Sequence, residues 1–161
     1  MNAISIFDYE AHHQPYFEKF NRYWIEKYFV MEPIDELVLT NPEALLLKPG
    51  GAILMAEYDG VIAGTVALRK VDDITYEFTK MAVDDQFQRK GIAEALSYAS
   101  FTKARELGAQ KVILYSNSQL TPAIRLYEKL GFIHLPVGIG EYKRSDVKME
   151  ITVSEIIPVN I

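Results

Sequence analysis

The stretch from Met81 to Ala93 constrains the fold more than any other part of the chain, because its residue pattern changes period at Gly91. Before Gly91, residues 74–83 are rich in apolar and aromatic side chains and contain neither Gly nor Pro, which predicts a strand. After Gly91, apolar residues recur at the spacing of one helix face. These are Ile92, Ala95, Leu96 and Ala99. The sequence therefore predicts a strand that leads through a tight polar loop into a helix.

The start of such a helix is suited to an anion. Its first backbone N–H groups have no partner within the helix and lie at the positive end of the helix dipole. Gly91 and Ala93 are small where a ligand would approach the backbone, and Arg89 and Lys90 add positive charge. The predicted ligand is a phosphate or a pyrophosphate; the alternative is a polar loop that binds nothing. The stretch has neither the GxxxxGK[ST] of a P-loop nor the glycines of a dinucleotide fingerprint.

Two motifs resemble those of the GNAT superfamily of N-acetyltransferases. Residues 88–93, QRKGIA, resemble its acyl-CoA-binding signature, Arg/Gln-x-x-Gly-x-Gly/Ala, and residues 126–132, LYEKLGF, resemble its second motif. The resemblance covers nearly the whole chain and is strongest from about Ala52 to Phe132. It implies that the strands ending at Val83 and Tyr115 diverge and that the pantetheine arm of coenzyme A lies between them.

The resemblance assigns a set of residues to acetyl-CoA, the implied acyl donor. The loop amides would bind the pyrophosphate, and the main chain at the end of the preceding strand would contact the pantetheine as an added strand does. The residues are Gln88, Arg89, Lys90, Gly91, Ile92 and Ala93 in the loop and Met81, Ala82 and Val83 in the strand. Asn117 is a candidate side-chain contact, and its alternative role is to form a turn. Family members usually carry an asparagine where this chain has Leu120.

Glu77 is the candidate general base. An alkyl amine with a pKa of ~10.4 is protonated at neutral pH, and freeing it costs roughly 4–5 kcal/mol at pH 7, so a nearby base assists. Glu77 lies mid-strand in an uncharged run, four residues before Met81, which predicts that the two share a strand face. Some GNAT members place a catalytic glutamate at this position. The alternative is a glutamate on the solvent side of the sheet, or one paired with Arg69 or Lys80. Asp72 and Asp73 lie in a turn and are weaker candidates.

Tyr127 is the candidate general acid, because it matches the tyrosine that many GNAT members direct at the thioester sulfur. The alternative is a tyrosine of the core whose hydroxyl bonds to a convenient acceptor. The resemblance implies transfer of an acetyl group to a primary amine by direct attack. Two other functions remain open from the residues: a non-catalytic acyl-CoA-binding or regulatory domain, and a nucleotide phosphate binder.

The order of predicted elements is a strand, helices, three strands, a helix, a strand, a helix and two strands. Asp59-Gly60 predicts a two-residue hairpin between residues 52–58 and 61–68, and Gly108 and Gly131 end helices. This order predicts the α/β class, a mixed sheet with helices on both faces. The resemblance implies the same arrangement, a GNAT-like acyl-CoA N-acyltransferase fold with a central, mostly antiparallel sheet.

Aromatic residues recur at helical spacing after Pro15, which suits the first turn of a helix. They are Phe17, Phe20, Trp24 and Tyr28. Such a stripe is typical of a core face, and the alternative is the lining of an acceptor pocket. The candidate lining residues are Trp24, Tyr28, Tyr76, Phe78, Tyr115 and Tyr142. The sequence does not select among a small metabolite, a polyamine, an antibiotic and a protein N-terminus.

Composition narrows the classes of partner. A chain of 161 residues, 49% hydrophobic and 24% charged, predicts one globular domain over residues 1–161. The absence of cysteine excludes disulfides, a thiolate nucleophile and a cysteine zinc site. The net charge of −5 argues against nucleic-acid binding and mildly favours a cationic acceptor.

The remaining expectations concern location and assembly. The first ten residues lack the pattern of a signal peptide, and no apolar run reaches the ~20 residues that span a membrane, so a cytoplasmic protein without membrane contact is predicted. His12 and His13 are predicted to lie in a solvated loop, and no metal is expected. The apolar tail, residues 156–159, would suit packing on the domain or on a partner subunit, as in a homodimer.

Overall fold

Seven strands form one sheet within the part of the chain that the computed structural model describes, residues 3–137 and 143–155. The strands are β1 (Ile4–Asp8), β2 (Ala52–Tyr58), β3 (Val61–Lys70), β4 (Thr75–Val83), β5 (Lys111–Ser116), β6 (Ile133–Leu135) and β7 (Val147–Thr152). The helices are α1 (Gln14–Tyr28), α2 (Pro33–Thr40), α3 (Ile92–Glu106) and α4 (Thr121–Leu130). Single turns of 3-10 helix occupy Ala11–His13, Asp85–Phe87 and Val153–Glu155, and a π-helical turn occupies Glu43–Leu47.

The strand order is β1-β2-β3-β4-β5-β7-β6, and every neighbouring pair is antiparallel except β4 and β5. Asp59-Gly60 joins β2 to β3 as the hairpin signal predicts, with both residues at positive φ. The predicted mixed, mostly antiparallel sheet is therefore confirmed.

The parallel pair is short. β4 and β5 pair only from Thr75–Glu77 to Lys111–Ile113, whereas β4 continues to Val83 and β5 to Ser116. Beyond these three residues the two strands part, so the backbone of β4 has no strand on that side. This is the divergence that the sequence motifs implied.

Helices cover both faces of the sheet. On one face α3 and α4 pack against the strands, with Phe101 and Leu96 of α3 and Leu130 of α4 in the same apolar core. On the other face α1, α2 and the π-helical turn contribute Phe17, Leu39 and Leu46 to a second core. Burying apolar area at both faces is the main source of the fold's stability.

Two helix faces differ from the prediction. In α3 the buried residues are Ile92, Leu96, Ser97, Ser100, Phe101 and Ala104, whereas Ala95 and Ala99 are only half-buried. In α1 the buried residues are Phe17, Phe20, Asn21 and Ile25. Trp24 is half-buried and Tyr28 is exposed; both side chains lie near the end of β4, where the sheet no longer covers the helix.

His13 corrects the expectation of two solvated histidines. It is buried, and its Nδ1 accepts a 2.9 Å hydrogen bond from the backbone N–H of Glu10, while His12 is exposed. Burial lowers the pKa of His13. Among the described residues there is no cluster of three His, Cys, Asp or Glu side chains suited to a metal, and no helix is long and apolar enough to cross a membrane.

Candidate active site

The loop before α3 presents unused backbone donors. Gly91 lies just before the helix at φ +83°, and Arg89 also has a positive φ, of +63°. A Cβ at position 91 would meet only the Cδ1 of Ile4 at 4.0 Å, so the backbone conformation, not crowding, requires glycine there. Among the described residues, no acceptor is bound by the backbone N–H groups of residues 88–93. Such a row of donors at a helix start has the chemistry that suits an anion.

Side chains of the loop hold its shape. The Nε2 of Gln88 donates to the carbonyl oxygens of Val83, at 2.9 Å, and of Asp84, at 3.3 Å. The Lys90 ammonium lies 5.2 Å from the centre of the Tyr58 ring. The amide side chain of Gln88 therefore ties the loop to the end of β4, and only its backbone N–H is left among the unused donors of the loop.

The carbonyl oxygen of Val83 is shared by two donors. The indole Nε1 of Trp24 donates to it at 2.8 Å, in addition to Gln88. A carbonyl oxygen has two lone pairs, so both are used at this residue. Trp24 was predicted as core or as acceptor lining; in the structure it is half-buried and its indole connects the end of β4 to α1.

A β-bulge corrects the predicted face of Glu77. Thr65 pairs with Ala82 and Ala67 with Thr79, so two residues of β4 oppose one residue of β3, and Lys80 takes φ +55°. The extra residue reverses the alternation of side chains. Met81 consequently contacts α3, where its sulfur lies 3.8 Å from the Oγ of Ser97, while Glu77 faces α2. The two residues lie on opposite faces of the sheet, contrary to the count of four.

Glu77 is buried and forms an ion pair with Arg69. The Nε and one Nη of Arg69 each lie 2.9 Å from the Oε1 of Glu77. Arg69 lies opposite Glu77 in the β3–β4 register, and its side chain remains 32% exposed. This pairing is the alternative that the sequence left open for Glu77, and it does not exclude a role as base, because a carboxylate must be ionised to accept a proton.

A second buried ion cluster adjoins this pair. Asp35, at the start of α2, is fully buried and accepts from the Nζ of Lys80 at 3.2 Å and from two Nη atoms of Arg144 at 2.7 and 2.8 Å. Arg144 also lies 3.1 Å from Glu32. Burial would raise the pKa of Asp35, but the hydrogen bonds from Arg144 and from the N–H of Glu32, with the charge of Lys80, hold that pKa below its usual value. Burial lowers the pKa of Lys80.

Sequence reasoning missed this cluster. The signal for Lys80 was the same as for Glu77, since these two are the charged residues of a strand that is otherwise uncharged. Asp35 and Arg144 lie far apart in the chain and carry no local pattern. Together the three residues join α2, the bulge of β4 and the segment before β7.

A cavity of about 180 Å³ lies beside Glu77. Its charged lining comes from Arg69, Glu77 and Lys80, with the hydroxyl-bearing Thr79. Four aliphatic side chains of α2 and the π-helical turn complete it: Ile34, Val38, Leu45 and Leu46. The cavity is on the α2 face of β4.

Tyr127 lies on the opposite face, buried in the core of α3 and α4. Its ring meets those of Phe78 and Phe132 edge-on, at 5.7 and 6.0 Å between centroids. Among the described residues its hydroxyl has no hydrogen-bond partner, and since no fully buried side-chain oxygen there lacks one, the hydroxyl oxygen is accessible. Burial of the side chain raises its pKa to about 12. The tyrosine is therefore protonated at neutral pH, as a proton or hydrogen-bond donor must be.

Asn117 forms a turn, the alternative role considered for it. Its side-chain nitrogen donates to the carbonyl of Arg144 at 2.5 Å, and its side-chain oxygen accepts from the N–H of Gln119 at 2.8 Å. One N–H and one oxygen lone pair of the amide are engaged within the chain, which leaves the second N–H and the second lone pair for a ligand.

The aromatic candidates for the acceptor pocket do not lie together. Tyr76 and Phe78 are buried in the α3 and α4 core and face away from the cavity. Tyr28 stacks on Trp24 at 5.9 Å, and the Tyr115 ring lies beneath the Lys148 ammonium. Tyr142 and the tail at 156–159 lie outside the described residues.

Comparison with known proteins agrees with the sequence motifs. The acetyltransferase (GNAT) family matches residues 8–132. An uncharacterized N-acetyltransferase of Escherichia coli is 32% identical over 117 residues, which cover 70% of this chain and 67% of that protein. N-acetylaspartate synthetase of Homo sapiens is 38% identical over 88 residues, 54% of this chain but only 29% of the synthetase.

Solved structures share the fold. An acetyltransferase of the GNAT family from Staphylococcus aureus superposes with a TM-score of 0.83 at 20% identity, covering 94% of this chain and 99% of that one. Spermidine N-acetyltransferase from Vibrio cholerae, in complex with CoA and spermine, superposes with a TM-score of 0.73 at 20% identity, covering 95% and 97%. The chain therefore has the fold of these acetyltransferases.

Proposed function

The chain belongs to the acetyltransferase (GNAT) family, and from this premise we propose that it transfers the acetyl group of acetyl-CoA to a primary amine by direct attack. The observation that carries the proposal is the row of unused N–H donors at residues 88–93 beside the gap between β4 and β5. A diphosphate suits the donors, and an extended pantetheine arm suits the open edge of β4. Residues 81–83 are the proposed main-chain contacts for that arm.

Glu77 is the proposed base. The acceptor enters as an ammonium, and Glu77 takes one proton so that the nitrogen lone pair can attack the thioester carbonyl carbon. A C–N bond forms, the C–S bond breaks with its electron pair on sulfur, and the nitrogen loses a second proton. The products are the N-acetyl amide and the thiol of coenzyme A, with one net proton released. Burial of Glu77 beside a cavity favours this role, because the carboxylate acts away from competing water.

Tyr127 is proposed to donate a hydrogen bond to the leaving sulfur. A pKa of about 12 lies well above that of a thiol, which is ~8.5, so full proton transfer from the phenol to a free thiolate is uphill. A hydrogen bond that strengthens as charge develops on sulfur stabilises the transition state without that transfer. The absence of a competing partner for the hydroxyl among the described residues supports this assignment.

Two measurements test the function. Acetyl-CoA should raise the thermal midpoint of the protein, and amines from a panel should release free thiol from acetyl-CoA in the presence of the protein. ATP and inorganic pyrophosphate serve as controls for a general phosphate site. No shift with acetyl-CoA, or an equal shift with ATP, would contradict the proposal. A shift without thiol release from any amine would instead indicate a binding domain.

The names of two similar proteins indicate two classes of acceptor. One relative is a synthetase of N-acetylaspartate, an acetylated amino acid, and one structural neighbour is a spermidine N-acetyltransferase. The first class carries a carboxylate beside the amine and the second carries several amines and no carboxylate. We propose that the acceptor is a small molecule of one of these classes.

A further inference from the structure

Three aromatic rings at the C-terminal end of α1 share one ammonium group. The Nζ of Lys27 lies over the rings of Tyr23, Trp24 and Tyr28, at 5.6, 5.1 and 5.5 Å from their centroids. The planes of Trp24 and Tyr28 are parallel to within 4°, and the Tyr23 ring stands at 89° to Trp24. We call these three rings the aromatic corner. The position that they share is occupied by a cation.

No carboxylate holds this ammonium in the part of the chain that the structure describes. Lys27 forms neither an ion pair nor a hydrogen bond there. The negative faces of aromatic rings attract a cation, and tryptophan attracts it most strongly. The end of α1 adds to this attraction, because the carbonyl groups of a last helical turn form the negative end of the helix dipole. Two separate features therefore favour a cation at this position.

The aromatic corner is both preformed and accessible. Its central ring is fixed, because the indole Nε1 of Trp24 donates to the carbonyl oxygen of Val83 at 2.8 Å. The other two rings remain open to solvent, with Tyr23 43% and Tyr28 45% exposed, and Lys27 is exposed as well. The flexible lysine side chain can therefore move into water, and a cation from solution can then reach the same ring faces.

We infer that the aromatic corner is a binding site for an alkylammonium group, and that the Lys27 ammonium occupies it in place of the ligand. Clustered aromatic faces recognise such groups, whose apolar carbons also pack on the rings. Lys27 competes with the ligand because it is tethered to the same helix. The site is separate from Glu77, since Val83 lies six residues further along β4, roughly 20 Å on an extended strand. The inference therefore does not depend on the proposed acetyl transfer.

The chain has a single tryptophan, so the fluorescence of Trp24 reports on this site directly. The emission is measured during titration with tetramethylammonium chloride and with butylammonium chloride, with sodium chloride added to keep the ionic strength constant. 1-Butanol is the neutral probe, matched to butylammonium in its carbon chain. We expect a saturable change of emission with both ammonium probes and none with 1-butanol, because the ring faces attract positive charge.

Variants locate the effect. Lys27→Ala removes the competing ammonium and should increase the affinity for both ammonium probes by about 10-fold. Alanine is well tolerated at an exposed helix position, and Lys27→Gln, which also removes the charge, serves if the alanine variant does not fold. Lys19→Ala is the matched control, because Lys19 is an exposed lysine of α1 that lies over no ring among the described residues. Its affinity should equal that of the unaltered protein.

Removal of one ring tests the other half of the site. Added to Lys27→Ala, the change Tyr23→Leu keeps an apolar side chain but removes one π face, and it should lower the affinity for both ammonium probes several-fold.

Four results would overturn the inference. They are no saturable response to either ammonium probe, an equal response to 1-butanol, equal affinities in Lys27→Ala and Lys19→Ala, and an unchanged affinity after the loss of the Tyr23 ring. All titrations are made without acetyl-CoA. Their failure would therefore leave the proposed function intact, and failure of the protein to release thiol from acetyl-CoA would leave this inference intact.

Discussion

The indole Nε1 of Trp24 donates a 2.8 Å hydrogen bond to the carbonyl oxygen of Val83, which fixes the last residue of β4 to the C-terminal half of α1. The same oxygen accepts from Gln88, the first residue of the donor loop. This one carbonyl therefore holds three elements in fixed positions relative to one another: α1, the open edge of β4 and the loop before α3. The proposed sites for the pantetheine arm and for the diphosphate are thus positioned together.

Trp24→Phe removes the hydrogen bond from α1 to the Val83 carbonyl oxygen but leaves the one from Gln88. Gln88 still donates, so we expect only about 1 kcal/mol of lost stability from the missing hydrogen bond, and a several-fold weaker response to acetyl-CoA. Chemical denaturation and titration with acetyl-CoA measure the two effects. Tyr23→Phe is the control, because Tyr23 is an exposed neighbour on α1. Equal acetyl-CoA affinity in both variants would mean that the bond to Val83 is structural only.

Gly91→Ala should weaken acetyl-CoA binding by at least ~10-fold, because an alanine at φ +83° is strained by roughly 1–2 kcal/mol and will pull the loop towards negative φ. Gly60 provides a matched control. It has φ +82°, and a Cβ there would meet nothing within 4 Å. Gly60→Ala should cost similar stability and leave the acetyl-CoA titration unchanged. Equal loss of affinity in the two variants would show that the effect is one of global stability.

The sequence predicted the donor loop and the sheet because both depend on local patterns. Asp59-Gly60 set the hairpin, and Gly91 marked the change from strand to helix. Glu77 was found by its chemistry but placed on the wrong face, because a bulge at Lys80 inserts one residue that no propensity reveals. The link from Asp35 to Arg144 could not be predicted either, since it is formed by tertiary packing between distant parts of the chain.

Glu77→Gln should lower kcat strongly, by about 10²- to 10⁴-fold for a lost general base, and leave acetyl-CoA binding nearly unchanged. The amide is similar in shape to the carboxylate but cannot accept the proton of the ammonium. Glu150→Gln is the control, because Glu150 is also a strand glutamate in an ion pair, 3.3 Å from Lys111. Retained turnover in Glu77→Gln on a confirmed acceptor would assign the base to another group.

Tyr127→Phe should lower turnover while the thermal response to acetyl-CoA persists, because only a hydroxyl is removed from a buried ring. Tyr98→Phe, on the half-buried side of α3, is the control.

Stability at high pH gives an independent test of the buried phenol. Since burial raises the pKa of Tyr127 from 10 to about 12, the unfolded chain loses the proton first as pH rises. The free energy of unfolding therefore keeps the full contribution of the protonated phenol below pH 10. It loses that contribution, roughly 2–3 kcal/mol, between pH 10 and 12. The free energy of unfolding of Tyr127→Phe should fall less steeply over that range. An identical slope in the two proteins would show that the phenol is not buried in solution.

Asp35→Asn tests the buried cluster. A neutral amide removes the one negative charge that Lys80 and Arg144 share, and removing one partner of a buried ion pair costs about 3–5 kcal/mol. The neighbouring Glu36→Gln, which breaks an exposed pair with Arg22, should leave the thermal midpoint almost unchanged.

Acid titration tests the charge of Asp35 separately. The pKa of Asp35 is held below its usual value, so its contribution is present above pH ~4, where the unfolded carboxyl is ionised, and lost as pH falls through the folded pKa. The asparagine variant should therefore lose less stability on acidification than the unaltered protein does. Equal acid sensitivity of the two proteins would mean that Asp35 does not hold its cations as ionised partners.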